Sequence, residues 1–547
     1  MIARKSEQLT PTSHFFAPLR LVRRCDFGSL FRLLNMKKTI LCSALLLGLA
    51  LSCNEDDLNK VNPNGVTFDT YFNNTEELTA GVNSIYALVQ SNSLVSREWF
   101  FTHDLRSDEM ASGGGQLETP RNQLLNGVHD TGNGLVASIW RGWYRTIHRA
   151  NVILEKGPAV KNIAPADRDR LLGEARFLRA WAYYELGTLY GGVPIYKEFA
   201  KEVDGAKPRS TQKDVYDLVI ADLKAAEPGL LATYDAKNLG RATKAAAQTL
   251  LARTYLQMGD YASAKTELQK VVSSGLYKIV DNYLDLTNEE GEFNAESIFE
   301  VVYAPSGGAY NWGSDSDGSA VQEETVRTQE YSAIGWRNVI PSNKMLNSYE
   351  RVSKGDPKDD PRYAMSYWNE GDKINNETSV LTADRVQGNS SVVDGKTQKV
   401  SWRKYSVLYK IDNGYAQSSI NMRIMRYADV LLMLAECENE LGNQAAALAL
   451  TNQVRARKSV AMPPYPTTNY PSRTKDEVFD AIMHERMVEL AAEQIRNFDI
   501  IRWRKNKKLK TEPLSYFIAN KHELLPIPQS EIDNSPALEQ KDQNPGY

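Results

Sequence analysis

Three stretches of this chain place aromatic side chains among polar neighbours. They are Arg97-Glu98-Trp99-Phe100, followed by His103, Asp104 and Arg106; Tyr310-Asn311-Trp312-Gly313; and the run from Tyr331 to Trp336-Arg337-Asn338. An aromatic outside a periodic apolar stripe has no helix face to bury it, so Trp99, Tyr310, Trp312, Tyr331 and Trp336 are expected to be exposed. Exposed aromatic faces flanked by Asp, Asn, Arg and Gln suit a flat ligand with C–H faces and hydroxyl edges, such as a sugar ring. Trp140, Trp143 and Trp181 lie on regular helical stripes and are expected in the core.

Signatures of catalysis are missing. His484-Glu485 lacks the second His of a zinc-protease helix, and there is no Gly-x-Ser-x-Gly elbow or phosphate loop. Asp315-x-Asp317-Gly318 keeps only a fragment of a calcium loop, without its terminal Glu, and reads as a solvated acidic turn. No catalytic residue, cofactor or metal ligand is therefore assigned. Paired carboxylates are plentiful, and since a glycosidase pair is defined by separation in space, a glycoside hydrolase stands as an alternative.

The elements that must position the aromatics are mainly helical. Leu78, Val82, Ile85, Tyr86 and Val89 predict a helix over 75–90, and Ile139, Trp140, Trp143, Tyr144 and Ile147 one over 137–156. The segment 95–136 between them, rich in Gly, Asn and Asp, is expected to be irregular. A dense helical block over 168–190 ends at Gly191-Gly192-Val193-Pro194. Thr211-x-x-Asp214 and Thr474-x-x-Glu477 read as capping boxes that open further helices.

In 243–272, Leu251, Ala252, Tyr255, Gly259, Tyr261, Ala264, Leu268 and Val271 fall at the offsets of a tetratricopeptide helix pair. A second instance runs over 427–455 with Leu434, Ala435, Gly442, Ala447 and Val454, although Gln444 and Thr451 stand where apolar residues are usual. Such pairs bury their faces only by stacking, so the other helices supply the remaining layers. This predicts a mainly α fold, a tetratricopeptide-like helical-pair scaffold over about 67–280 and 420–510. Between them, about 280–420 loses helical periodicity and predicts an irregular, loop-rich insertion with β-like runs such as 297–303. A tetratricopeptide module that binds peptides or assembles a complex is a second alternative function.

The N-terminus carries an address. Lys37 and Lys38, about a dozen mostly apolar residues and Ser52 before Cys53 form a lipoprotein signal peptide over 36–52. Cleavage is expected to make Cys53 the lipidated first residue, with 53–66 as a solvated tether ahead of a body at 67–547; because Ala50 stands where a lipobox usually carries Leu, the alternative is an ordinary secretory cut that leaves Cys53 unmodified. Residues 1–35 precede a complete signal and read as a start codon placed too early. Without residues 1–52 the chain keeps 57 basic and 66 acidic side chains. That balance, with no basic run, argues against nucleic acid. Cys437 lies in an apolar helical pattern and reads as a buried thiol.

These blocks together resemble the SusD/RagB family. The resemblance rests on Glu174-Ala175-Arg176-Phe177-Leu178-Arg179-Ala180 with Leu189-Tyr190-Gly191-Gly192-Val193-Pro194, and on Arg426-Tyr427-Ala428-Asp429-Val430-Leu431-Leu432-Met433-Leu434-Ala435-Glu436. It extends through Glu485-Arg486-Met487-Val488-Glu489-Leu490, Phe498-Asp499-Ile500-Ile501-Arg502-Trp503, Leu525-Pro526-Ile527-Pro528 and Asn544-Pro545-Gly546-Tyr547. It implies a non-catalytic nutrient-binding lipoprotein, in the outer membrane and facing the exterior, that serves a SusC-like TonB-dependent transporter with a glycan as its ligand. By resemblance of position, the loops carrying Trp99, Tyr310, Trp312, Tyr331 and Trp336 are those that supply the sugar-stacking aromatics. Glu174, Arg176, Arg426 and Arg486 read as buried or capping partners, and Arg486, on an apolar stripe, requires a carboxylate partner.

Overall fold

A computed structural model describes residues 71–199, 205–304, 310–312 and 323–547. The signal segment, Cys53, the tether and the Asp315-x-Asp317-Gly318 turn lie outside them. The main helices are α1 (Thr75–Val89), α2 (Glu98–Leu105), α3 (Thr119–Leu125), α4 (Gly134–Lys156), α5 (Pro165–Tyr190), α6 (Gln212–Ala226), α7 (Lys244–Met258), α8 (Tyr261–Ser273), α9 (Tyr427–Glu440), α10 (Gln444–Arg455), α11 (Lys475–Glu489) and α12 (Arg496–Lys505). Four antiparallel pairs, α1 with α4, α5 with α6, α7 with α8 and α9 with α10, stack in that order, and α11 covers the last.

Local chemistry explains these boundaries. Both predicted capping boxes form: Thr211 and Asp214 cap α6, and Thr474 and Glu477 cap α11, each side chain accepting from the other's backbone N–H. Gly259 ends α7 with φ +77°, a left-handed geometry that costs glycine nothing. Ala252 and Ala264, both fully buried, are the small residues that let α7 and α8 approach. Thr451 takes an apolar position in the second repeat because its hydroxyl donates to Ala447 O at 2.9 Å within α10.

The segment 95–136 is not irregular throughout. It contains α2, in which all eight residues are buried, and α3. A helix buried on every side shows no amphipathic stripe, so helical periodicity fails to reveal it. Its polar members are matched instead: His103 Nε2 lies 2.9 Å from Glu185 Oε2, and Arg327 donates to Asp104 at 2.6 Å.

The insertion is built from short two-stranded ladders. β1 (Met110–Ser112) pairs antiparallel with β3 (Val339–Pro341), Met110 opposite Pro341, while β2 (Ser297–Val301) pairs antiparallel with β4 (Met422–Arg426) and carries the chain into α9. Most aromatics of the insertion are core: Tyr367, Trp368 and Trp402 are buried, and Tyr349, Tyr363, Tyr367 and Trp402 meet edge-on or tilted.

A buried ionic network ties the insertion to the scaffold. Glu489 of α11 accepts from Arg362 at 2.9 Å, Arg426 at 2.9 Å and Arg457 at 2.7 Å. Glu485, one turn earlier, accepts from Arg362 at 2.6 Å and Arg455 at 2.9 Å. Glu296 of the segment entering β2 accepts from Arg426 at 2.7 Å and Arg457 at 2.8 Å, and Glu493 from Lys404 at 2.7 Å and Arg426 at 2.6 Å. Arg486 has the required partners, Asp499 at 2.7 Å and Asp429 at 2.9 Å. Glu174 is fully buried between Arg170 at 2.7 Å and Arg241 at 2.9 Å, Arg176 is half-buried, and Cys437 is a buried free thiol.

One carboxyl near this seam is exceptional. Glu109, just before β1, is buried and receives a hydrogen bond from Ala492 N at 3.1 Å; burial pushes its pKa up to about 8. A carboxyl whose folded pKa exceeds the unfolded value contributes stability that is complete below about pH 4.5 and is lost as pH rises through about 8. Glu109→Gln is therefore expected to raise the melting temperature more at pH 9 than at pH 5. A difference independent of pH between those values contradicts the assignment.

Candidate functional site

The structure separates the five predicted aromatics into two groups. Trp99 is only 3% exposed on α2, and its indole N–H donates to Glu185 at 2.9 Å. Tyr331, 1% exposed, closes the short Arg327–Tyr331 helix, with the Arg327 guanidinium 3.6 Å from its ring centre. Both are core residues, which corrects the expectation of exposure: aperiodic surroundings did not leave them on the surface, because other segments fold over them. Tyr310, 3% exposed, is also buried; its hydroxyl lies 2.8 Å from Ser96 Oγ and donates to Asn92 at 2.7 Å.

Trp312 and Trp336 remain accessible. Trp312 is 49% exposed and Trp336 half-buried, with ring centres 5.9 Å apart and planes tilted by 46°. The two rings make a bent apolar platform. Tyr310 props Trp312 from below, edge to face at 4.6 Å, and the Arg97 guanidinium sits 5.1 Å from the Trp312 ring centre. Arg97 is fixed by Glu330 at 2.7 Å and Glu118 at 2.9 Å. Burial would lower its pKa, but Glu330, Glu98 and Glu118 outweigh this and hold it above its ordinary value, so the cation under the ring persists.

Trp336 is set by its backbone. Gly335 has φ +139°, and a Cβ there would lie 2.8 Å from both Gln329 O and Gly414 O, so only glycine fits the turn. Trp336 N donates to Gln329 O at 2.8 Å, and the Gln387 amide reaches Gly335 O at 2.5 Å and Trp336 O at 3.1 Å. Arg337, fully buried, answers with bonds to Gln387 O at 2.7 Å, Asn389 O at 2.8 Å and Val400 O at 2.9 Å. These partners, and Ser401 Oγ at 2.7 Å, are all neutral, and burial lowers its pKa to about 10.

Polar groups rim the platform. Gln116 is exposed and donates to Gln387 at 3.3 Å; Glu118 and Asn389 are exposed, and Tyr415, 51% exposed, sits beside the loop, with its carbonyl accepting from Gln329. The arrangement offers two aromatic faces, carboxamide donors and acceptors and a carboxylate at the edges, a set that suits a ring-shaped hydroxylated ligand. Gln116, Glu118, Gln387 and Tyr415 were not singled out from sequence; isolated polar residues in loops carry no periodic signal. Among the described residues, no group of three or more His, Cys, Asp or Glu is placed to hold a metal, and no helix is long and apolar enough to cross a membrane.

Fold and platform define a tetratricopeptide-type helical scaffold bearing a loop-built insertion. The model of the SusD family matches residues 295–547, that described as starch-binding associating with outer membrane matches 58–256, and a tetratricopeptide repeat matches 246–274. The chain belongs to the SusD/RagB family. It is 28% identical over 529 residues to SusD-like protein P2 of Formosa agariphila, covering 94% of this chain and 100% of the relative. A laminarin-binding SusD-like protein superposes with a TM-score of 0.71 at 25% identity, covering 87% of this chain and all of that one. Surface glycan-binding protein A from Bacteroides thetaiotaomicron, solved in complex with laminarihexaose, superposes with a TM-score of 0.69 at 21% identity, covering 86% and 99%.

Proposed function

We propose that this chain is a surface-anchored carbohydrate-binding protein that captures an oligosaccharide on the Trp312–Trp336 platform and passes it to a partner TonB-dependent transporter of the outer membrane. The pair of accessible indoles, propped by Tyr310 and Arg97 and rimmed by carboxamides, carries this reading. Family relatives named for binding starch or laminarin support a glucan as the first ligand to test. The proposed role is non-catalytic. Lipidation of Cys53 would hold the body, from about residue 67, outside the cell on the 53–66 tether.

Calorimetric titration with maltohexaose and laminarihexaose, beside an assay for released reducing ends, tests the binding role. Saturable binding without turnover is expected, and sustained release of reducing ends would replace it with a hydrolase. Co-purification of the tagged, full-length chain with its transporter from detergent-solubilised outer membrane tests delivery. For the anchor, Cys53→Ser should abolish incorporation of labelled palmitate.

A further inference from the structure

A second concave site lies apart from the platform. A cleft of about 240 Å³ opens between α1 and the turn at 237–241, with residues 299–302 as its floor. Its walls are Asn83, Tyr86 and Gln90 from α1 and its C-cap, facing Lys237, Leu239 and Arg241.

The polar wall is held in place from behind. The buried Glu174 carboxylate fixes Arg241 at 2.9 Å and the Tyr86 hydroxyl at 3.1 Å. Arg241 in turn donates to Asn83 Oδ1 at 2.9 Å and Asn238 Oδ1 at 3.1 Å. With its oxygen engaged, the Asn83 carboxamide keeps its N–H groups for a ligand. Gln90 uses its N–H on Val302 O at 2.5 Å, leaving its oxygen as an acceptor. Lys237 is exposed with no ion pair among the described residues, and Leu239, 41% exposed, forms an apolar ledge. Donors, an acceptor and an apolar ledge around a volume of this size match one sugar ring.

A short chain of contacts links the cleft to the platform. Gln90 grips Val302, and two residues on, Asn92 receives the hydroxyl of Tyr310, whose ring props Trp312. At no more than about 3.6 Å per residue, and allowing for the intervening side chains, the cleft lies within roughly 20 Å of the Trp312 ring.

We propose that this cleft is a second sugar subsite, occupied by a distal ring of the oligosaccharide whose other end stacks on Trp312 and Trp336. The proposal rests on the platform reading above for the ligand's class. Two sites joined by one ligand raise affinity for long chains, through effective concentration, while short chains gain nothing.

The test compares maltohexaose with maltose, and laminarihexaose with laminaribiose, by calorimetry on the full chain. Two cleft variants are used: Asn83→Leu with Lys237→Ala, and Leu239→Arg, which fills the mouth from an exposed position. Each should weaken hexasaccharide binding about tenfold and leave the disaccharide unchanged, with the melting temperature held. Wild-type hexasaccharide affinity in both variants, while Trp312→Ala weakens both sugar lengths, removes the cleft and spares the platform. Loss of hexasaccharide affinity in the cleft variants, with Trp312→Ala silent, overturns both the platform and a ligand shared between the two sites.

Discussion

Glu489→Gln is expected to destabilise the protein by about 3 to 5 kcal/mol, the cost of breaking a buried ion pair by removing one partner. The substitution conserves volume, so packing changes little and the effect is electrostatic. Glu489 is the carboxylate common to Arg362, Arg426 and Arg457, all with side chains 4% exposed or less. Burial alone would raise its pKa, but Arg457, Arg426 and Arg362 overcome this and hold it well below the ordinary carboxylate range. Its contribution is therefore present above about pH 4.5 and fades only as pH falls toward the lowered folded value. Because unfolding entropy scales with chain length, the melting temperature should drop by roughly 3 to 5 °C. Asp217→Ala, which removes an exposed pair with Lys213 on α6, should change stability by less than about 0.5 kcal/mol. Equal effects from the two substitutions would refute the network's role.

The second large effect concerns binding. Trp312→Ala and Trp336→Ala should each weaken a bound oligosaccharide about tenfold, near 1.4 kcal/mol, and the double variant should abolish measurable binding. Trp312 is half exposed, so its removal costs the fold little. Trp99→Phe is the informative control, since it deletes the bond to Glu185 inside the core while Trp181 keeps its own bond to that carboxylate at 3.0 Å. It should lower stability by about 1 kcal/mol and leave affinity as in the wild type. Calorimetry and thermal melts on the same samples separate the two outcomes, and wild-type affinity in both platform variants would dismiss the platform.

The scaffold was legible because its helices are amphipathic and their ends are marked. The apolar spacing in α1 and α4, the capping boxes of α6 and α11 and the offsets of the α7–α8 pair all appear as predicted, with boundaries moved by a few residues. What failed was the inference from aperiodic to exposed. Trp99 sits in a helix surrounded on all sides, and Tyr331 in a single turn under Arg327; neither environment leaves a periodic trace. The ionic network was hidden for another reason. Arg486 announced its need of a carboxylate, but Arg362 and Glu485 are 123 positions apart and Arg426 and Glu296 are 130 apart, so only the tertiary fold reveals the pairs.

The network and the platform draw on different residues. Glu296, Glu485, Glu489 and their arginines clamp the insertion from inside, whereas Trp312, Trp336, Gln116 and Gln387 stand in loops outside that clamp. Substitutions that retune what the loops grip need not disturb what keeps the insertion seated. If the platform binds sugar as proposed, a chain built this way can change its ligand by small steps, each surviving because anchorage and recognition are inherited as separate traits.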